Sequence, residues 1–286
     1  MTKKQREQAE ILKKIEKAFG RKQYIKSKVA PVYPMSAERE FRRGLRGYMN
    51  KIGDALGDII KTSGGGKIDG TKGKSVIKNA VKNISLKNDI KKASDSVVAI
   101  SLKEMSRSAQ KTLGFDVKVS SSFFEEKVLD WDDRTEKALR EYADTIAERV
   151  GKSTTEAQIR YISGIVKNGA KKMSRLTVTE LNGAVSEQIQ HILGNDRYVW
   201  ATARDDRVRP CHRTFDGKTF FWNDPPEIWE MKGGRRVYTG RHCHPGQDYN
   251  CRCMAITVFD KKALLDFLKV ASDEENTGKK ARKNKK

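Results

Sequence analysis

The chain has 286 residues, 59 Lys+Arg against 37 Asp+Glu, and a formal net charge of +22. At 37% hydrophobic and 34% charged it is less apolar and more charged than an ordinary globular chain, long enough for one or two domains but not for a core along its whole length. No apolar run reaches the ~18 residues of a membrane helix, the first twenty residues are too charged for a secretory h-region, and four Cys are too few for a disulfide scaffold, which points to a reducing compartment.

In chain order, Ile11, Leu12, Ile15 and Phe19 share one helical face, and Gly20 ends a basic amphipathic helix. Pro31 and Pro34 mark a break. Ser36 is the expected N-cap of a long helix carrying Phe41, Leu45, Tyr48, Met49, Ile52, Leu56, Ile59 and Ile60, which stops at Ser63-Gly64-Gly65-Gly66. Residues 63–74 read as a flexible Gly/Lys loop; Gly64-Gly65-Gly66-Lys67 lacks the order and strand context of a P-loop. Apolar stripes at Val76, Ile77, Ala80, Val81 and Ile84 and at Val97, Val98, Leu102, Met105 and Ala109 predict two more helices. Residues 113–124 alternate briefly, as a short strand or an extended connection. A strong helix follows over 125–150. Ser153-x-x-Glu156 and Thr177-x-x-Glu180 read as capping boxes of two further helices, and Gly194-Asn195 as a C-cap.

The pattern changes at 197. Residues 197–203 carry a strand signal, Asp216-Gly217 reads as a hairpin turn, and Asp224-Pro225-Pro226 and Gly233-Gly234 are further turns. Residues 254–259 predict a last strand, 261–270 a short helix and 271–286 a disordered basic tail. Trp200, Phe220, Phe221, Trp222 and Trp229 are the expected core of this module. The fold class is therefore mainly α with a small C-terminal α+β module. The chain divides into a basic helical region (1–119), a helical body (120–195), a turn-rich Cys/His module (196–259) and a short helix with the tail (260–286).

Charge follows the same division. Residues 1–119 hold 28 Lys+Arg against 12 Asp+Glu, whereas 120–200 hold 12 against 13. Such a basic half predicts a polyanion partner, because each phosphate neutralised releases a counterion; the plain alternative is a solubilising Lys-rich surface. The cations singled out for DNA contact without sequence preference are Lys13, Lys14, Lys17, Arg21, Lys22, Lys26, Lys28, Arg42, Arg43 and Arg46. An electronegative surface of a protein partner is the other occupant considered.

All four Cys (Cys211, Cys243, Cys251, Cys253) and three of the four His (His212, His242, His244) fall between residues 211 and 253. Zn²⁺ takes tetrahedral Cys and His ligands, and a turn-rich segment with little core gains most from one. Cys251-x-Cys253 on a strand edge would place both thiols on one face. The expected ligands are His212, Cys251 and Cys253 with a fourth from His244, Cys243 or Cys211; free thiols and a disulfide are the other readings. Asp205, Asp206, His212, Asp216 and His244 could form a metal-assisted hydrolase site, but nothing in the spacing fixes a nucleophile or base, so no enzymatic activity is expected.

Trp200-Ala-Thr-Ala-Arg-Asp-Asp-Arg-Val-Arg-Pro-Cys-His212, Asp216-Gly217, His244-Pro245-Gly246 and Asn250-Cys-Arg-Cys253, with Thr179-Glu180 before them, resemble the C-terminal domain of tailed-phage minor head proteins, the Mu F-like head morphogenesis family, over about 175–258. The resemblance implies a minor structural protein of the virion. It would be assembled in the host cytoplasm and act near the portal, with portal, major capsid or scaffolding proteins and DNA as partners and no membrane. It also implies that His212 stands where some relatives carry a thiolate, and it favours His244 as the fourth ligand through its His-Pro context. A metal-dependent nuclease or toxin-like effector carried in the particle is the alternative.

Overall fold

The computed structural model describes residues 3–248 and 251–269. In chain order its elements are α1 (Lys3–Phe19), β1 (Tyr24–Lys26), α2 (Met35–Ser63), α3 (Gly70–Val81), α4 (Lys87–Leu113), α5 (Glu125–Gly151) and α6 (Glu156–Ile192). There follow β2 (Arg197–Ala201), α7 (Pro210–Phe215), β3 (Thr219–Phe221), β4 (Glu227–Lys232), β5 (Arg235–His242), β6 (Met254–Asp260) and a helix α8 over 261–269. The fold is mainly α-helical with a small C-terminal β and Cys/His-rich region, and among the described residues no helix is long and apolar enough to cross a membrane.

Two compact units emerge. One comprises residues 34–98 and 124–181, the other the described residues of 1–33, 99–123 and 182–286. Both are discontinuous in sequence, so they do not coincide with the contiguous segments 1–119, 120–195 and 196–259 drawn from charge and turn content.

The first unit is helical because its sequence repeats apolar residues every three or four positions. Phe41, Leu45, Ile52 and Leu56 of α2 are essentially fully buried, as are Trp131 and Val150 of α5. Phe41 and Trp131 meet with ring centroids 6.5 Å apart. The α3–α5 contact is close: a Cβ on Gly73 would lie 2.8 Å from Val150, and one on Gly70 would lie 2.3 Å from the Gly151 carbonyl oxygen.

Several helix ends differ from expectation. Pro34, not Ser36, precedes α2, with no side-chain cap. The loop expected over 63–74 gives way to α3 from Gly70, because the Asp69 carboxylate accepts the Lys72 N–H and starts the helix. The α3 stripe ends at Val81, leaving Ile84 outside. The capping box at α6 is Thr155–Gln158: Gln158 Oε1 accepts the Thr154 and Thr155 N–H groups, while Thr155 Oγ1 accepts the Gln158 N–H. Ser153 instead donates back to the Arg149 carbonyl. Thr177-x-x-Glu180 starts nothing, since α6 runs unbroken for 37 residues and the Thr177 hydroxyl bonds back to the Met173 carbonyl.

The second unit holds a four-stranded antiparallel sheet in the order β1-β6-β2-β3 and a separate β4–β5 hairpin. Strand β1 was not foreseen; three residues carry too little alternation to register. Residues 113–124 form no strand and end in a 3₁₀ turn over Ser121–Phe124. Gly194 ends α6 with φ 68°, and the Asn195 N–H bonds the Gln190 carbonyl at 2.8 Å. Asp216-Gly217 does not join two strands directly: it links α7 to β3, with Gly217 at φ 77° and its N–H on the Trp200 carbonyl. The short helix falls at 261–269, and the tail expected to be disordered lies outside the described residues.

Candidate metal centre

Strand β2 places Tyr198 and Trp200 in the interior, both fully buried, beside Phe215, Trp222, Ile228 and Trp229. Trp200 meets Phe215 edge-on at 5.1 Å and Tyr198 meets Trp222 at 4.4 Å. Phe220 packs against this cluster, whereas Phe221 is 41% exposed. Phe221 points away because alternation along β3 sends neighbours to opposite faces, and the Arg197 guanidinium covers its ring.

The same cluster contains the sulfur ligands. His212 on α7 and Cys251 and Cys253 in the segment entering β6 are all buried, and their ligand atoms lie within 4.8 Å of one another. Both thiols stand 3.6 Å from His212 Nδ1, and the Cys253 N–H donates to Cys251 Sγ at 3.3 Å. Two sulfurs and one imidazole nitrogen, desolvated and converging, are donors that fit Zn²⁺. The other ring nitrogen, Nε2, is buried with no hydrogen-bond partner and lies 3.3 Å from Asp248 Oδ2. This side assignment suits a metal-bound histidine, whose free ring nitrogen is usually faced by a carboxylate that fixes the tautomer.

Asp248 is itself held. Its side chain is fully buried and ion-paired with Arg209 and, at 2.7 Å, with Arg241. Burial opposes its ionisation, but His212, Arg209 and Arg241 outweigh it and keep the carboxyl far below the usual carboxylate range. Burial likewise opposes charge on His212, while Asp248 and the thiols of Cys211 and Cys251 push it up to about 11. The Cys253 thiol, with help from His212, brings Cys251 down to about 5 against the effect of burial. The same thiol pair and burial push Cys253 up.

Among the described residues this three-residue group is where the expected ligands meet. The structure does not bring His244 to it: His244 Nδ1 lies 3.1 Å from the Tyr198 hydroxyl, with its ring against Trp222. Its His-Pro context serves that aromatic packing instead. Cys211 is buried one position before His212, and Cys243 is half-buried at the edge of the cluster; neither joins the three atoms. His242 donates its Nδ1–H to the Pro225 carbonyl, 2.9 Å away. Asn250 lies outside the described residues.

A cavity of about 90 Å³ opens beside the group, lined by Arg207, Arg209 and Arg252 among others. Two of the carboxylates considered for hydrolysis, Asp205 and Asp216, have other partners. Asp205 takes Arg252 at 2.6 Å through both oxygens and also Arg207; Asp216 accepts the N–H and hydroxyl of Thr202. Asp206 uses its carbonyl to accept from Arg213. The Asp248 pairing was missed by sequence reasoning, and its only signal was that Asp248 is the lone acid between Glu230 and Asp260.

The cations expected to meet DNA fall in both units. Lys13, Lys17, Arg21, Lys22, Lys26 and Lys28 are exposed in one, and Arg43 and Arg46 in the other. Lys14 pairs with Glu10 at 2.9 Å. Arg42 is ion-paired to the buried Glu38 and bonds Ser174, which makes it a structural cation. Of the Thr179-Glu180 pair, Thr179 is buried, and Glu180 meets Arg134 at 3.0 Å.

The family model described as "Phage Mu protein F like protein" matches residues 136–256, a span that takes in His212, Cys251 and Cys253. An uncharacterized protein of Haemophilus influenzae is 31% identical over 109 residues, which are 38% of this chain and 22% of that protein. The chain thus spans about a fifth of that relative's length. No solved structure matches it.

Proposed function

We propose that this chain is a minor structural protein of a tailed-phage head, acting in head morphogenesis near the portal, with a zinc ion that braces residues 197–258. The observation that carries the reading is the match to the Mu F-like family over 136–256. The buried group of His212, Cys251 and Cys253 within that span supports it. Those three residues would hold the ion, and Asp248 would orient the His212 ring. When bound, zinc supplies a cross-link between α7 and the segment entering β6. Portal, major capsid or scaffolding proteins are the expected partners, and the exposed lysines and arginines of residues 13–28 supply DNA contact without base readout.

The test is particle composition together with metal content. Mass spectrometry of purified heads should find the chain, deletion of its gene should lower the yield of filled heads, and elemental analysis should give about one zinc per chain. Intact, infectious heads without the chain would overturn the reading.

One observation favours a second reading. Three protein ligands beside an arginine-lined opening is how a catalytic metal site is arranged, as in a metal-dependent nuclease or toxin-like effector carried in the particle. DNA cleavage by the purified protein, lost in His212→Ala, would establish it.

A further inference from the structure

We propose that the β4–β5 hairpin is a nucleic-acid-binding arm that lays its tip on the phosphates of duplex DNA. The proposal rests on the DNA-contact part of the reading above, but locates that contact outside the basic N-terminal half.

The hairpin starts inside the module and ends outside it. Ile228 and Trp229 are buried, whereas every residue from Glu230 to Tyr238 is exposed. Gly233 and Gly234 turn the chain with φ 57° and 78°, the two left-handed positions of a tight hairpin turn. Three residues of β4 and four of β5 therefore stand clear of the core, roughly 10–14 Å at ~3.4 Å per residue. A two-stranded ribbon of that size fits the major groove, about 12 Å wide and 8.5 Å deep.

The charge on the arm has one sign where it matters. Lys232 sits directly opposite Arg235, and Met231 opposite Arg236. Like charges placed opposite one another on a strand pair oppose its folding, so the tip is a liability to the isolated hairpin and an asset against a polyanion. No ion pair engages Lys232, Arg235 or Arg236 among the described residues. The one acid on the exposed stretch 230–238, Glu230, is taken by Arg241 at 3.1 Å, and Glu227 at the base of the hairpin accepts the Gly240 N–H. Trp229, Met231, Arg236 and Tyr238 share one face, with the Arg236 guanidinium 4.6 Å from the Trp229 ring centre. That stacking holds the arginine over the ribbon with its edge free for a phosphate.

The experiment measures binding of full-length, zinc-loaded protein to a random-sequence DNA duplex across a salt series. Lys232→Ala/Arg235→Ala/Arg236→Ala should flatten the log–log salt slope by about 2.7, from ~0.9 per phosphate contact over three contacts. Between about 50 and 200 mM salt, wild type would then lose roughly 40-fold more affinity than the variant. Arg235→Lys/Arg236→Lys keeps the charge and should keep the slope; a slope lost here too would overturn the proposal, because the effect would not be charge. Zinc content and melting temperature of each variant monitor folding. An unchanged slope in the triple variant, with a flattened slope in Lys13→Ala/Lys17→Ala/Arg21→Ala, would overturn the arm and leave the N-terminal DNA contact standing. No DNA binding by wild type at low salt would overturn both, and binding to polyglutamate in its place would make an acidic protein the occupant.

Discussion

The helical unit and the Cys/His module bury their interiors by different means. In the first, α2 and α5 are long helices, 29 and 27 residues, with apolar side chains on one face. Each turn adds area to the same contact, so stability accumulates by increments. In the second, strands of three to eight residues cannot accumulate area in that way. Their interior joins aromatic rings to three buried sulfurs, two buried imidazoles and a buried carboxylate. Polar and titratable groups contribute to stability only when satisfied. The helical unit should therefore weaken gradually under substitution, while the module should depend on a few particular bonds.

The largest expected effect separates the two. Removing zinc with a chelator, or replacing Cys251 by Ser, should abolish the near-ultraviolet circular dichroism of the tryptophans around Trp200 while most of the helical signal remains, because metal affinity here is folding free energy. An unchanged near-ultraviolet spectrum at zero zinc content would contradict the comparison.

Single core substitutions sharpen it. Trp200→Ala should cost about 3–5 kcal/mol and Leu56→Ala about 2–5 kcal/mol. Only the first should also lower zinc occupancy, which urea unfolding with parallel metal analysis would reveal. Phe221→Ala, on the exposed face of β3, should stay within about 0.5 kcal/mol.

Asp248→Asn comes next, at about 3 kcal/mol. That is the lower end for breaking a buried ion pair, because Arg209 and Arg241 keep partial solvent contact. A separate sign of its role is zinc affinity, expected to fall 10–100-fold as a carboxylate behind a ligating histidine is lost. Asp248→Asn with normal zinc affinity would reduce the residue to a structural ion pair.

The smallest effect is a pH dependence. Arg252, with Arg207, lowers the Asp205 carboxyl from 3.8 to about 2. A depressed carboxylate stabilises the fold above its unfolded value and loses that contribution as pH falls through the folded one. Asp205→Asn should melt below wild type at neutral pH, and the two should converge near pH 2.

How much of this was legible in the sequence follows from the same contrast. The long helices announced themselves, since a stripe such as Phe41, Leu45, Ile52 and Leu56 repeats often enough to outweigh noise. Their ends did not, because capping is a matter of single hydrogen bonds: Thr155 and Gln158 make the box where Ser153 and Glu156 have the matching spacing. His212, Cys251 and Cys253 were legible as chemistry, being rare residues gathered in one window. His244 was misplaced as the fourth ligand because spacing cannot tell a ligand from a ring that packs on Tyr198 and Trp222. Asp248 was invisible, since its partners lie 39 and 7 residues away on different elements. The β4–β5 arm left only Gly233-Gly234 as a trace.

The donor set of the metal centre also fixes which ion leaves the interior electrically quiet. Two thiolates and a neutral imidazole sum to minus two, and a divalent cation cancels that sum. Asp248 is countered separately by Arg209 and by Arg241, which also pairs with Glu230, so the filled centre itself adds no net charge to the aromatic core. A monovalent ion would leave a surplus negative charge there and a trivalent one a surplus positive charge, each with a desolvation cost. Filling the centre must also expel the protons that the Cys253 thiol and the His212 ring hold beforehand, so uptake is a proton-releasing exchange that acidification reverses.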